Sequence, residues 1–116
     1  MAQSPKMPEM RTAAAAKAHA KQQLPLWGWS KTQWSCLAAM WGKESAWNPN
    51  AQNKTPVKVL KGGKWIKAYA GGIPQILGLN PRLSVPMQVH RGLKYVKSRY
   101  GSPCQAWKWW KKHSWY

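Results

Sequence analysis

The chain has 116 residues, of which 19 are Lys or Arg and only two are Glu, with no Asp, for a formal charge of +17. That length leaves room for one small domain, and the shortage of acids excludes chemistry that needs a pair of carboxylates within it. The charge favours polyanionic surroundings (nucleic acid, an acidic membrane or an anionic bacterial wall) through an attraction that salt weakens.

Residues 1–24 are small, basic and polar, with no apolar stripe. Ala13–Gln23 favours a helix but has nothing to bury, so the segment reads as a mobile arm or as a helix awaiting a partner. Lys17 and His19 interrupt the alanines, and no secretory signal is expected here. No stretch has the length of a transmembrane helix. Leu24-Pro25-Leu26 opens a domain spanning residues 25–116.

Ser30 and Gln33 form a capping-box pattern, with Trp29 and Trp34 at the positions of a hydrophobic staple. Trp34, Leu37, Ala38 and Trp41 then follow the helical repeat and are expected in the core. Asn48-Pro49 is the expected stop, since a residue before proline avoids the α region. Glu44 falls in the last turn, on the flank of the buried stripe. Next, Val57–Leu60 and Trp65–Tyr69 flank Gly62-Gly63, the pattern of a β-hairpin. AGGIPQILGLNP reads as irregular. Its Gly71, Gly72 and Pro74 either shape a turn or let a sugar approach the backbone closely.

Ser84 caps a helix carrying Val85, Val89, Leu93, Val96 and Tyr100 on one face, and Gly101 ends it. Ser102 and Gln105 make a second capping box, with Pro103 at the first helical position. The closing WKWWKKHSWY suits a packed helix with a solvated lysine face, or an anion-binding or membrane-surface strip. The fold class is mainly α with one short β-hairpin. Cys36 and Cys104 are either two buried thiols or a disulfide closing a long loop, worth about 4 kcal/mol in the chain-entropy model.

Glu44 is the lone carboxylate of this domain, because Glu9 lies in the tail. A helix C-terminus disfavours an ionised Glu, and burial among tryptophans does the same. Glu44 is therefore expected to hold its proton above the usual carboxylate range and to serve as a proton donor. The plainer reading pairs it with a lysine such as Lys43. Most glycosidases need two carboxylates; a single acid suffices where the substrate supplies its own nucleophile. His19, His90 and His113 are scattered and no metal motif is present, so neither metal nor cofactor is expected. A Cys–His nucleophile would need a reduced cysteine beside His90 or His113.

WGKESAWNPNAQN, then GGIPQ, then RGLKYVKSRYGSPCQAW with a closing WY, resembles the lysozyme-like transglycosylase domain of actinobacterial secreted proteins and their phages, over residues 26–116. The resemblance implies a small lysozyme-like helical domain that cleaves the β-1,4 bond between N-acetylmuramic acid and N-acetylglucosamine. The muramic hydroxyl would close on the anomeric carbon to leave an anhydro end. It implies Glu44 as the catalytic acid, with Ser45, Gln75, Tyr95, Tyr100 and Trp107 along the substrate cleft. Trp47, after the acid, is a cleft-wall candidate. The basic segment 54–70 departs from the family, which runs directly between the flanking motifs. The expected partner is the glycan strand of peptidoglycan, with nucleic acid or other virion proteins as candidates for the basic arm. The expected location is the bacterial wall or the extracellular space, reached from a virion or by lysis. The competing reading is a non-enzymatic basic virion or nucleic-acid-binding protein, in which stacking aromatics alternate with lysines.

Overall fold

The computed structural model describes residues 10–116, so Glu9 and the start of the arm lie outside the described residues. The elements run α1 (Ala13–Gln23), a 3-10 turn (Leu24–Trp27), α2 (Lys31–Ser45), β1 (Val57–Lys61), β2 (Lys64–Ala68), β3 (Ala70–Gly71), β4 (Ile76–Leu77), α3 (Val85–Tyr100) and α4 (Pro103–His113). The domain is mainly α, with the hairpin where the glycines put it.

Of the two readings of the N-terminal segment, the helix with a partner is the one found over Ala13–Gln23, and the mobile arm is not. Thr12 caps α1 by accepting from Ala15 N at 3.1 Å, and α1 packs on α3. Ala16 and Ala20 are fully buried. These alanines lie one turn apart on one face, so the absent apolar stripe is replaced by close approach of two backbones. Arg11 fixes the start of the helix, its guanidinium donating to Leu83 O at 3.0 Å and to Asn50 Oδ1 at 2.8 Å.

Two local expectations for α2 are also corrected. Ser30 is its N-cap but makes no side-chain capping bond. Gln33 turns away and its Oε1 accepts from Cys104 N at 2.8 Å, so it satisfies the start of α4 instead. The helix stops before Asn48-Pro49, because Ala46 and Trp47 both take left-handed conformations (φ 53° and 59°). That backbone costs a non-glycine residue about 1–2 kcal/mol. Burial of the Trp47 ring, 1% exposed, offsets it, and Trp47 Nε1 donates to Ala38 O at 3.0 Å.

β1 and β2 pair antiparallel with Lys61 opposite Lys64. Gly62 and Gly63 supply the two positive φ angles, 58° and 78°, that a tight hairpin turn requires. AGGIPQILGLNP is more regular than expected: β3 pairs with β4, and Gln52 bridges to Gly71. A Cβ on Gly71 would stand 2.1 Å from Leu79 O, so only glycine permits this closure.

α3 buries Val85, Val89, Leu93 and Val96, and Gly92 lets it meet α2, since a Cβ there would lie 2.5 Å from the Trp41 ring. α4 packs on α2 and α3. The Cys36–Cys104 disulfide joins α2 to α4 across 68 residues of sequence, with Cα atoms 5.0 Å apart. These helices share one core with Leu37, Met40, Trp41, Trp47, Ile73 and Ala106.

Gln88 is a polar residue that the α3 pattern did not single out, and it is wholly buried. Its Oε1 accepts from Ile73 N at 2.8 Å, while Nε2 lies 3.0 Å from the carbonyls of Pro49, Pro81 and Leu83. One side chain thus holds three loops around α3. Gln88→Leu keeps the volume but orphans these backbone groups, each costing about 1–3 kcal/mol when buried. We expect a loss of at least about 3 kcal/mol in urea unfolding; a loss under about 1 kcal/mol would mean that the loops hold themselves.

Candidate functional site

Glu44 sits at the end of α2, half-buried. Its Oε1 accepts a short hydrogen bond from Trp110 Nε1, one turn along α4 from Trp107. Burial raises its pKa above the usual carboxylate value, and the Trp110 bond pulls it partly back. Among the described residues no cationic side chain is a cause of the shift, Lys43 included. This is the environment of an acid that keeps its proton longer than an exposed Glu does.

Glu44 does not line the cavity that Gln75 and Tyr95 share, and its link to that side of the molecule runs through Ser45. Ser45 Oγ donates to Ile73 O at 2.7 Å and ties the end of α2 to the loop that carries Gln75. Gln75 has φ 52°, and its Nε2 donates to Gly72 O at 3.0 Å. Its pocket is shared with Ile76, Leu77, Tyr95, Arg99, Trp115 and Tyr116, and holds about 350 Å³. Tyr95 OH donates to Tyr116 O at 2.9 Å and accepts from Arg99 Nη1 at 2.8 Å.

Tyr116 is the site residue that sequence reasoning missed. Its hydroxyl accepts from Trp41 Nε1 at 2.9 Å and donates to Pro74 O at 2.7 Å. Burial first, and the Glu44 charge second, push its pKa well above the ordinary phenol value. It therefore stays a neutral donor next to the acid. The final WY of the sequence was a visible signal, but nothing in its pattern said that Tyr116 would fold back into the core.

The remaining expected residues divide. Trp107 stacks on Trp110 with ring centroids 5.3 Å apart, which makes it a neighbour of the acid's donor rather than a donor itself. Trp110, at i+3 on the same helix face, was findable once the Ser102 cap fixed where α4 begins. Tyr100 stacks on Tyr116 and lies under the Arg99 guanidinium, but does not itself line the Gln75 pocket. Trp47 is corrected from cleft wall to core. Its left-handed backbone turns the ring inward, 5.2 Å from Trp41 and 5.4 Å from Trp34. Among the described residues, no three His, Cys, Asp or Glu side chains come together, and no helix is long and apolar enough to cross a membrane.

The raised pKa has a thermodynamic consequence. Between 4.5 and the higher folded-state value, the folded protein holds a proton that the unfolded chain has released. Stability therefore falls as pH rises through that window and levels off above it. Glu44→Gln removes the slope and keeps an acceptor for Trp110. Urea midpoints measured against pH should show E44Q gaining on wild type from mild acid to neutral; a wild type that gains instead would mean that Glu44 is stabilised as an anion. No protein-family model, curated protein or solved structure matches the chain.

Proposed function

We propose that the domain cleaves peptidoglycan as a lysozyme-like transglycosylase, with Glu44 first protonating the glycosidic oxygen and then, as its conjugate base, drawing the proton from the muramic hydroxyl. The observation that carries this reading is a half-buried carboxylate with a raised pKa and no cationic partner in a chain of charge +17. A glutamate kept for stability in such a protein would be expected to pair with a lysine. Glu44 is instead desolvated and held by an indole N–H.

The reaction needs one group that gives and then takes a proton. General acid–base help of this kind is worth about 10²–10⁴-fold. Among the described residues Glu44 is the only carboxylate side chain, which favours an internal nucleophile over an activated water. The Trp107–Trp110 pair offers apolar faces beside the acid, and aromatic faces of this kind suit the C–H surface of a sugar ring. Gln75 and Tyr95 supply polar atoms at a cavity that Tyr116 also lines and Glu44 does not. In this reading the substrate lies in the wall, reached from a virion or by lysis. The alternative, a polyanion binder without catalysis, has the exposed lysines in its favour and makes no use of Glu44.

Purified peptidoglycan digested with wild type, Glu44→Gln and Trp110→Phe, with soluble products read by mass spectrometry, separates these readings. Anhydro-muramic ends are expected from wild type, with the rate falling at least about 10²-fold in E44Q. Trp110→Phe removes the bond that lowers the Glu44 pKa, so the alkaline limb of its pH–rate profile should move to higher pH. Equal rates for wild type and E44Q, or no products from folded protein, would overturn the assignment.

A further inference from the structure

The β1–β2 hairpin is packed on no helix and on neither strand of the second sheet to any substantial extent, although a lone two-stranded hairpin is marginal in water. Four of its large apolar side chains face solvent: Val57 (49% exposed), Leu60 (60%), Trp65 (68%) and Ile66 (42%). Lys58, Lys61, Lys64 and Lys67 are exposed between them, and the hairpin contains no acid. The register sets Lys58 opposite Lys67 and Lys61 opposite Lys64. Residues directly opposite share a face, so both pairs place like charges side by side. Each face thus carries an apolar cross-strand cluster, Val59–Ile66 on one and Leu60–Trp65 on the other, together with a lysine pair.

We propose that this hairpin docks onto an anionic lipid bilayer, lying in the headgroup region with the face that carries Leu60 and Trp65 at the acyl boundary. Lipid phosphates would convert the two repulsive lysine pairs into attractive ones. Lysine stems follow apolar surface while their ammonium groups stay at the headgroups, and tryptophan favours that same interface. A two-stranded ribbon also fits a nucleic-acid groove, and Trp65 alone would serve base stacking. Neither use accounts for an exposed aliphatic Leu60 paired with Trp65 on the face that also carries Lys58 and Lys67, which is why the bilayer is preferred. The surface is separate from Glu44, so it stands or falls independently of the lytic reading.

The test is sedimentation of the full chain with phosphatidylcholine vesicles, with and without phosphatidylglycerol, at low and raised salt. Wild type and Glu44→Gln should both bind the phosphatidylglycerol vesicles and leave the neutral ones. Neutralising Lys58, Lys61, Lys64 and Lys67 to Gln should weaken binding by about several hundredfold, since each lysine near such a surface contributes about fivefold. Leu60→Ser with Trp65→Ser should weaken binding while keeping its salt dependence. Circular dichroism of both variants checks that the helical body remains folded. Unchanged binding in either folded variant would overturn the proposal. So would tight binding of a single-stranded DNA oligonucleotide that needs Trp65 and the lysines while vesicle binding does not, which would assign the hairpin to nucleic acid.

Discussion

The hydroxyl of Tyr116 is bonded at once to α2, through Trp41, and to the Gly71–Gln75 loop, through Pro74. Its backbone carbonyl accepts from Tyr95 on α3. Three separately folded segments therefore meet on the last side chain of the sequence. A buried phenol satisfied as both donor and acceptor carries no desolvation penalty for an unpaired group. It also makes the geometry mutually dependent, because each partner is held in place by the others. The Glu44 charge in turn helps to raise the Tyr116 pKa, so the acid and this phenol are electrostatically linked.

Backbone strain is gathered in the same region. Among the described residues, Ala46, Trp47, Gln75 and Ser114 are the non-glycine residues with positive φ. Two follow Ser45 at the end of α2, one lines the cavity shared by Tyr95 and Tyr116, and one turns the chain from α4 toward Tyr116. Left-handed conformations of this kind persist only where surrounding contacts over-determine them. For Trp47 those contacts are visible: Trp34, Trp41 and the Ala38 carbonyl. Among the tryptophans, Trp41 and Trp47 hold the end of α2 and Trp110 bonds the carboxylate, while Trp65 stands exposed on the hairpin.

Much of this was legible in the sequence because it is encoded locally. The hairpin follows from two adjacent glycines between β-favouring runs, and α3 and α4 from Ser84, Gly101 and the Ser102–Gln105 pair. The position of Glu44 in a final turn followed from the repeat of Trp34, Leu37 and Trp41. Elements specified by distant partners were not legible. α1 has no apolar stripe, and only the nearby backbone of α3 explains why Ala16 and Ala20 suffice. Gln33 carried a capping signal that pointed to its own helix, yet it serves another one 71 residues away. Trp110, Gln88 and Tyr116 were missed for the same reason, since their partners are 66, 15 and 42 residues away in sequence.

The disulfide has a mechanical meaning beyond its effect on the unfolded chain. From Cys36 to Glu44 along α2 is about 12 Å, and from Cys104 to Trp110 along α4 is about 9 Å, at 1.5 Å per residue. The two helices are thus arms of a pair of tweezers, joined covalently at one end and touching at the other through the indole and the carboxylate. Sliding of one arm past the other is opposed at the joint, and the arms are also packed on each other. The register in which indole meets carboxylate is therefore set by a covalent bond about two turns of helix away.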